Sequence, residues 1–233
     1  MAVKLFLIRH GQTLWNKEGR YQGSKDIDLT EVGVKQAMLA AGYLKDVDFS
    51  SIYSSPLKRA VNTADIINKV NKGKDLDIII RENLKEMNFG KWEGMKFEQL
   101  GKVFSDDFRH WLSDPYNNCP TGGESFRQVK ERATAEIENI VKENEGVGNV
   151  AVVTHGGVIL SVLIYWLQIP LPRWRSIVLD QGAINIAVID RDFPYVSTIN
   201  FTGHLNSVYD SSGDRIIKTY SRFRIDDNKS KEI

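Results

Sequence analysis

The chain has 233 residues, of which 42% are hydrophobic and 26% charged, and its 31 basic and 30 acidic side chains leave a net charge of +1. That length and composition fit one globular α/β domain rather than two, and the charge balance excludes a global basic field that would recruit nucleic acid or a membrane surface. Cys119 is the single cysteine, so no intrachain disulfide forms, and a reducing, cytoplasmic setting is expected.

In chain order, the apolar run at residues 3–8 reads as a buried strand ending at Arg9-His10-Gly11. Too short for a signal peptide, it stops at Arg9. Thr30-Glu31 starts a helix, with Val34, Ala37, Met38, Ala41 and Leu44 at helical spacing. Residues 50–53 form a second strand, Pro56 opens a helix carrying Arg59, and residues 77–80 form a third strand. Residues 84–122 are irregular and aromatic, and read as inserted loops and short helices covering one end of the sheet like a lid. A long helix follows Gly122-Gly123-Glu124-Ser125 and ends near Gly146. Residues 149–153 are a fourth strand, followed by Thr154-His155-Gly156-Gly157 and a helix to about Leu167. The apolar stretch 158–169 is interrupted by Ser161, Tyr165, Trp166 and Gln168, so it predicts a buried helix and not a membrane span. Residues 176–179, 184–189 and 196–201 are strand-like, with a turn at Asp190-Arg191-Asp192. One domain over 1–225 and a polar tail over 226–233 are expected. The alternation predicts a three-layer α/β/α sandwich on a mainly parallel sheet, with ligands beyond the carboxyl ends of the strands.

Two histidine-bearing loops fall at such ends. His10 sits where a nucleophile or base belongs, Gly11 lets the backbone turn closely, and Arg9 offers a planar fork for two phosphate oxygens. By itself the tripeptide fits a histidine bonded to a loop carbonyl equally well. Arg59 lies in the first turn of a helix, where anions are favoured, although Lys-Arg pairs there are usually solvated. Glu86 is flanked by Met87, Phe89 and Trp92, a setting that favours the protonated acid. Glu82 and Glu93 are rivals that spacing alone does not separate. His155, followed by Gly156 and Gly157, is placed to bond phosphate oxygens or to serve structure.

Together these elements resemble the histidine phosphatase superfamily, which includes the cofactor-dependent phosphoglycerate mutases. The likeness runs from about Lys4 to Leu205 through Leu7-Ile8-Arg9-His10-Gly11-Gln12-Thr13-Leu14-Trp15-Asn16, Gly19-Arg20-Tyr21-Gln22-Gly23, Ser54-Ser55-Pro56-Leu57-Lys58-Arg59-Ala60, Phe89-Gly90-Lys91-Trp92-Glu93-Gly94 and Thr154-His155-Gly156-Gly157. The resemblance implies that His10 is phosphorylated and that Arg9, Arg59 and His155 surround the phosphate. It further implies that Asn16, Gln22, Gly23 and Gly156 bind substrate, and that Glu86, ahead of the Phe-Gly-x-Trp-Glu-Gly element, is the proton donor. Glu93 would then be structural, and no metal or cofactor would be needed.

Rival designs are absent from the text: there is no P-loop, and a cysteine phosphatase would need arginine where Ser125 stands. The mutase branch resembles itself in a Glu-Arg-His-Tyr-Gly segment. Here Glu86-Met87-Asn88-Phe89-Gly90 lacks that arginine, histidine and tyrosine, which favours hydrolysis over transfer. Trp111-Leu112-Ser113-Asp114-Pro115 and Pro120-Thr121-Gly122-Gly123-Glu124-Ser125 resemble the α-ribazole-phosphate and broad-specificity phosphatases. The expected partners are a small phosphate monoester and, through pairing of the C-terminal strands, a second copy of the chain. A catalytically silent phospho-ligand binder is the alternative of another class, and loss of His10 or Glu86 would have marked it. The reading requires both imidazoles and both guanidinium groups around one hollow, with the first imidazole open to solvent.

Overall fold

The computed structural model describes residues 2–71 and 75–208, so the expected polar tail at 226–233 lies outside the described residues. The elements are β1 (Val3–Arg9), α1 (Leu14–Glu18), α2 (Glu31–Leu44), β2 (Phe49–Ser54), α3 (Lys58–Asn68), β3 (Ile78–Ile80), α4 (Phe97–Val103), α5 (Ser105–Ser113), α6 (Phe126–Glu143), β4 (Asn149–Thr154), α7 (Gly156–Trp166), β5 (Ile184–Asp190) and β6 (Phe193–Phe201). The six described strands form one sheet in the order β3-β2-β4-β1-β5-β6. From β3 through β1 the pairings are parallel, while β5 runs antiparallel to β1 and to β6.

Strand alternation divides the core into two layers. Val3, Leu5 and Leu7 of β1 with Val150 and Val152 of β4 meet Val129, Ala133 and Ile137 of α6 and Val158, Ile159 and Val162 of α7. Phe6, Ile8, Ala151 and Val153 point the other way, against Ala40 and Leu44 of α2 and Ala60, Ala64 and Ile67 of α3. Because side chains in a strand alternate faces, apolar residues at both parities require cover on both sides. The result is the expected three-layer α/β/α sandwich.

The inserted segment folds onto the α6–α7 side. Met87, Trp92, Phe108 and Trp111 are all buried. Trp92 meets Tyr21, Phe108 and Trp111 edge-on, with ring centroids 5.5–6.0 Å apart. These aromatics are packing, and the segment is an anchored cover.

Three elements depart from the sequence reading. Residues 176–179 make no strand. A 3₁₀ turn (Leu171–Ser176) is followed by extended chain whose polar groups pair with side chains: the Leu179 carbonyl accepts from Arg9, and the Asp180 N–H donates to Asn200 Oδ1 at 2.7 Å. The third helix begins at Lys58, two residues after Pro56, because Ser55 Oγ accepts the Leu57 N–H and holds an extended turn ahead of it. The short α1 carries no readable periodicity. A capping box between Thr13 and Asn16 makes it, and Gly19, at φ +69°, ends it.

Candidate active site

Register assembles the site. β1 and β4 are neighbours with Arg9 opposite Thr154, so the residues that follow, His10 and His155, leave the sheet side by side. Their ring centroids are 5.1 Å apart. On the other side of β4 lies β2, with Ser54 opposite Val153, and the chain beyond it supplies Ser55 and then Arg59. Three adjacent parallel strands therefore deliver Arg9-His10, His155 and Ser55-Arg59 to one end of the sheet.

His10 Nδ1 lies 2.6 Å from the Gly11 carbonyl. A carbonyl can only accept, so Nδ1 carries the proton and Nε2 of the neutral ring keeps its lone pair. Burial, then the nearby Arg59 and Arg9 charges, push the His10 pKa well below 6.5, against the Gly11 bond that favours the cation. The imidazole is thus uncharged at neutral pH. Burial, followed by Arg59, His10 and Arg9, does the same to His155. His155 Nε2 sits 2.7 Å from Ser55 Oγ, and its buried Nδ1 has no partner among the described residues.

Arg9 is held by the 179–183 segment. Its Nη1 donates to the Leu179 carbonyl, and its backbone pairs with Ala183 and Gly182. A Cβ at Gly156 would stand 3.2 Å from the Arg9 guanidinium carbon, so this glycine lets the arginine lie over the first turn of α7. Arg59 is fully buried and donates to the Gly23 and Lys25 carbonyls, each at 2.7 Å. Burial pushes its pKa down to about 10, partly offset by Glu86 and Asp26. The Nε atoms of both arginines are buried without partners among the described residues. Buried donors are seldom left unpaired, and the two arginine Nε–H groups lie with the unpartnered His155 Nδ1 at one end of the sheet, an arrangement able to take an anion.

The Glu86 carboxylate accepts from the Met87 N–H at 2.9 Å and the Gly157 N–H at 3.3 Å. The second bond lies in the first turn of α7. The rivals are elsewhere. Glu82 is exposed and paired with Lys85, while Glu93 accepts from the Ser24 and Phe89 N–H groups at 2.8 and 3.2 Å and so ties the 22–24 loop to the inserted segment.

Asn16 and Gln22 are both tied to Thr13. The Asn16 side-chain carbonyl accepts from the Thr13 N–H at 3.1 Å, and Thr13 Oγ1 bonds Gln22 Oε1 at 2.5 Å. Gly23 reaches the centre through its carbonyl on Arg59. The two outer histidines stand apart: His110 is exposed, and His204 bonds the Gly182 carbonyl and stacks on Tyr43 and Phe201. Ser55 was the residue without a sequence-derived role. Its signal was its place just past a strand end, next to a helix start.

The expected solvent opening is absent at the ring itself, since His10 and His155 are 1% and 0% exposed. A cavity of about 910 Å³ does exist, but it lies between α6, α7 and the β5–β6 hairpin, lined by Tyr116, Lys130 and Tyr165, and holds none of the site residues. Among the described residues, no cluster of three or more His, Cys, Asp or Glu is placed to hold a metal ion, and no helix is long and apolar enough to cross a membrane.

Residues 5–202 match the model of the histidine phosphatase superfamily (branch 1), and the chain belongs to that family. The chain is similar to phosphoserine phosphatase 1 of Hydrogenobacter thermophilus, at 33% identity over 89% of this chain and 96% of the relative. To the adenosylcobalamin/alpha-ribazole phosphatase of Escherichia coli it is 30% identical, over 85% of this chain and 96% of that one. The crystal structure of an Entamoeba histolytica phosphoserine phosphatase with 3-phosphoglyceric acid superposes with a TM-score of 0.77 at 33% identity, covering 87% of this chain and 99% of that one. The chain is accordingly a phosphatase.

Proposed function

We propose that the protein hydrolyses small organic phosphate monoesters without a metal, through a phosphohistidine on His10. The observation that carries this reading is the His10 ring, whose Nδ1 lies 2.6 Å from the Gly11 carbonyl beside two guanidinium groups and a second imidazole. Nε2 attacks phosphorus in line with the ester oxygen. As the N–P bond forms and the P–O bond breaks, Glu86 gives its proton to the leaving oxygen. Water then attacks the phosphohistidine, Glu86 takes the water's proton, and inorganic phosphate departs with the His10 lone pair restored. Charge on the three transferring oxygens is met by Arg9, Arg59, His155 and the Asn16 amide. Ser55 Oγ accepts from the Leu57 N–H, which frees its hydroxyl proton for His155 Nε2 and leaves Nδ1–H to face the anion. Gln22, Gly23 and Gly156 shape the substrate side.

The substrate class follows from the relatives' names: α-ribazole 5′-phosphate and phosphoserine are both small monoesters with alkyl leaving groups. The absence of arginine, histidine and tyrosine after Glu86 favours water over a second substrate as acceptor. The test is a panel of monoesters assayed for released phosphate in EDTA, with acid-labile ³²P-labelling of the protein and the His10→Ala variant. Turnover that survives EDTA, with labelling and activity both lost in His10→Ala, is expected. Turnover stopped by EDTA and restored by magnesium, or a variant that still labels, would overturn the mechanism. Phosphoryl transfer to a phosphoglycerate instead of water would move the assignment to a mutase.

A further inference from the structure

We propose that Arg132, locked to Glu124, is a positioning residue that holds the general acid Glu86 in place; the proposal rests on Glu86 acting as that acid. Arg132 projects from α6, outside every motif that carries the family resemblance. Its Nε and Nη2 fork onto the Glu124 carboxylate at 2.8 and 2.9 Å. Nη1 donates to the carbonyls of Asn83 at 2.8 Å and Lys85 at 2.7 Å, and Nη2 to that of Glu86 at 3.2 Å. All five guanidinium donors are thus engaged, four of them in strong geometry.

Glu124 completes the clamp from the far side. Its Oε2 accepts the Asn88 N–H at 2.8 Å, and its own N–H donates to the Asn88 carbonyl at 2.8 Å. The pair therefore grips the backbone at 83, 85, 86 and 88, on both sides of the acid, and references it to α6. That helix is itself fixed next door by the capping box of Ser125 and Gln128. Burial works against the Glu124 charge, yet the Arg132 bonds and the Asn88 N–H outweigh it and hold the carboxyl below its ordinary range.

The Glu86 side chain has only two N–H bonds of its own, one of them at 3.3 Å, so its carboxylate is aimed mainly by its backbone. A lysine could keep the charge but could not span three carbonyls and a carboxylate with one nitrogen.

The experiment compares kcat/KM for an alkyl phosphate and for p-nitrophenyl phosphate in Arg132→Met, Arg132→Lys, Glu86→Gln and Glu86→Gln/Arg132→Met. Arg132→Met is expected to lose about 10²-fold on the alkyl ester, the scale of a 1 Å misplacement, and less than about threefold on the aryl ester, whose leaving group needs little protonation. Arg132→Lys should fall with it, and the double variant should match Glu86→Gln alone on the alkyl ester. Equal losses on both esters, full rescue by lysine, or additive losses in the double variant would overturn the clamp. Glu86→Gln losing no more on the alkyl than on the aryl ester would instead overturn the acid itself and the clamp with it. Thermal melts separate unfolding from misplacement, and Glu124→Gln, which keeps the volume while weakening the fork, reads the same split if Arg132→Met does not fold.

Discussion

Gly157→Ala isolates the geometry of the proposed acid, Glu86, from the stability of the fold. The new Cβ would stand 2.5 Å from Glu86 Oε1, where ordinary contact begins near 3.4 Å. Something must yield by about 1 Å, and the mobile partner is the carboxylate at the end of a flexible side chain. Gly157 sits in the first turn of α7 and does not have a positive φ, so alanine fits the backbone and removes roughly 0.5–1 kcal/mol of glycine's entropic cost. Stability should therefore hold or rise slightly. A 1 Å displacement of a catalytic group costs up to about 10² in rate, or roughly 2.7 kcal/mol of barrier. The loss should fall on alkyl phosphates and spare p-nitrophenyl phosphate, read as kcat/KM beside a thermal melt. Full activity on alkyl phosphates in a folded Gly157→Ala protein would refute the placement of Glu86 at this helix end.

Two further outcomes follow from the buried imidazoles. His10, His155 and His204 all have pKa values lowered by burial in the folded state; below 6.5 the unfolded chain takes up protons that the folded chain refuses, so stability present at neutral pH is lost as pH falls from that point. Each histidine that stays neutral contributes up to about 1.4 kcal/mol per pH unit; urea titrations between pH 7.5 and 5.5 should show the decline, shallower in His10→Asn, and an equal slope in the variant would contradict it. Ser55→Ala strips the 2.7 Å partner from a fully buried His155 nitrogen and should cost about 1–3 kcal/mol of stability together with activity; an unchanged melt with unchanged turnover would show that this hydroxyl does not orient the ring.

Much of the site was legible because the strands announce themselves. Apolar runs at residues 3–8 and 149–153, each followed by a His-Gly pair, place two histidines at strand ends from the sequence alone. Arg59 was legible only as a residue in the first turn of a helix that follows a strand, and Ser55 carried no role. Less legible was anything made by a side chain meeting distant backbone. Residues 176–179 look like a strand, yet Arg9 and Asn200 take the polar groups a ladder would have used. In the aromatic insertion, the edge-on contacts of Trp92 with Phe108 and Trp111 form only as the segment packs.

Alternating apolar strands and amphipathic helices, with His10, Arg59, Glu86 and His155 just beyond or between them, were determined by local sequence, since periodicity and turn chemistry act over a few residues. Which strands lie side by side is set by long-range pairing. The strand order β2-β4-β1, the register Arg9 opposite Thr154, the bond from Gly157 to Glu86, and the grip of Arg132 across 46 residues of chain were decided only when the layers packed. Contacts of that span leave no periodic trace in the sequence, because each depends on two surfaces meeting and on neither alone.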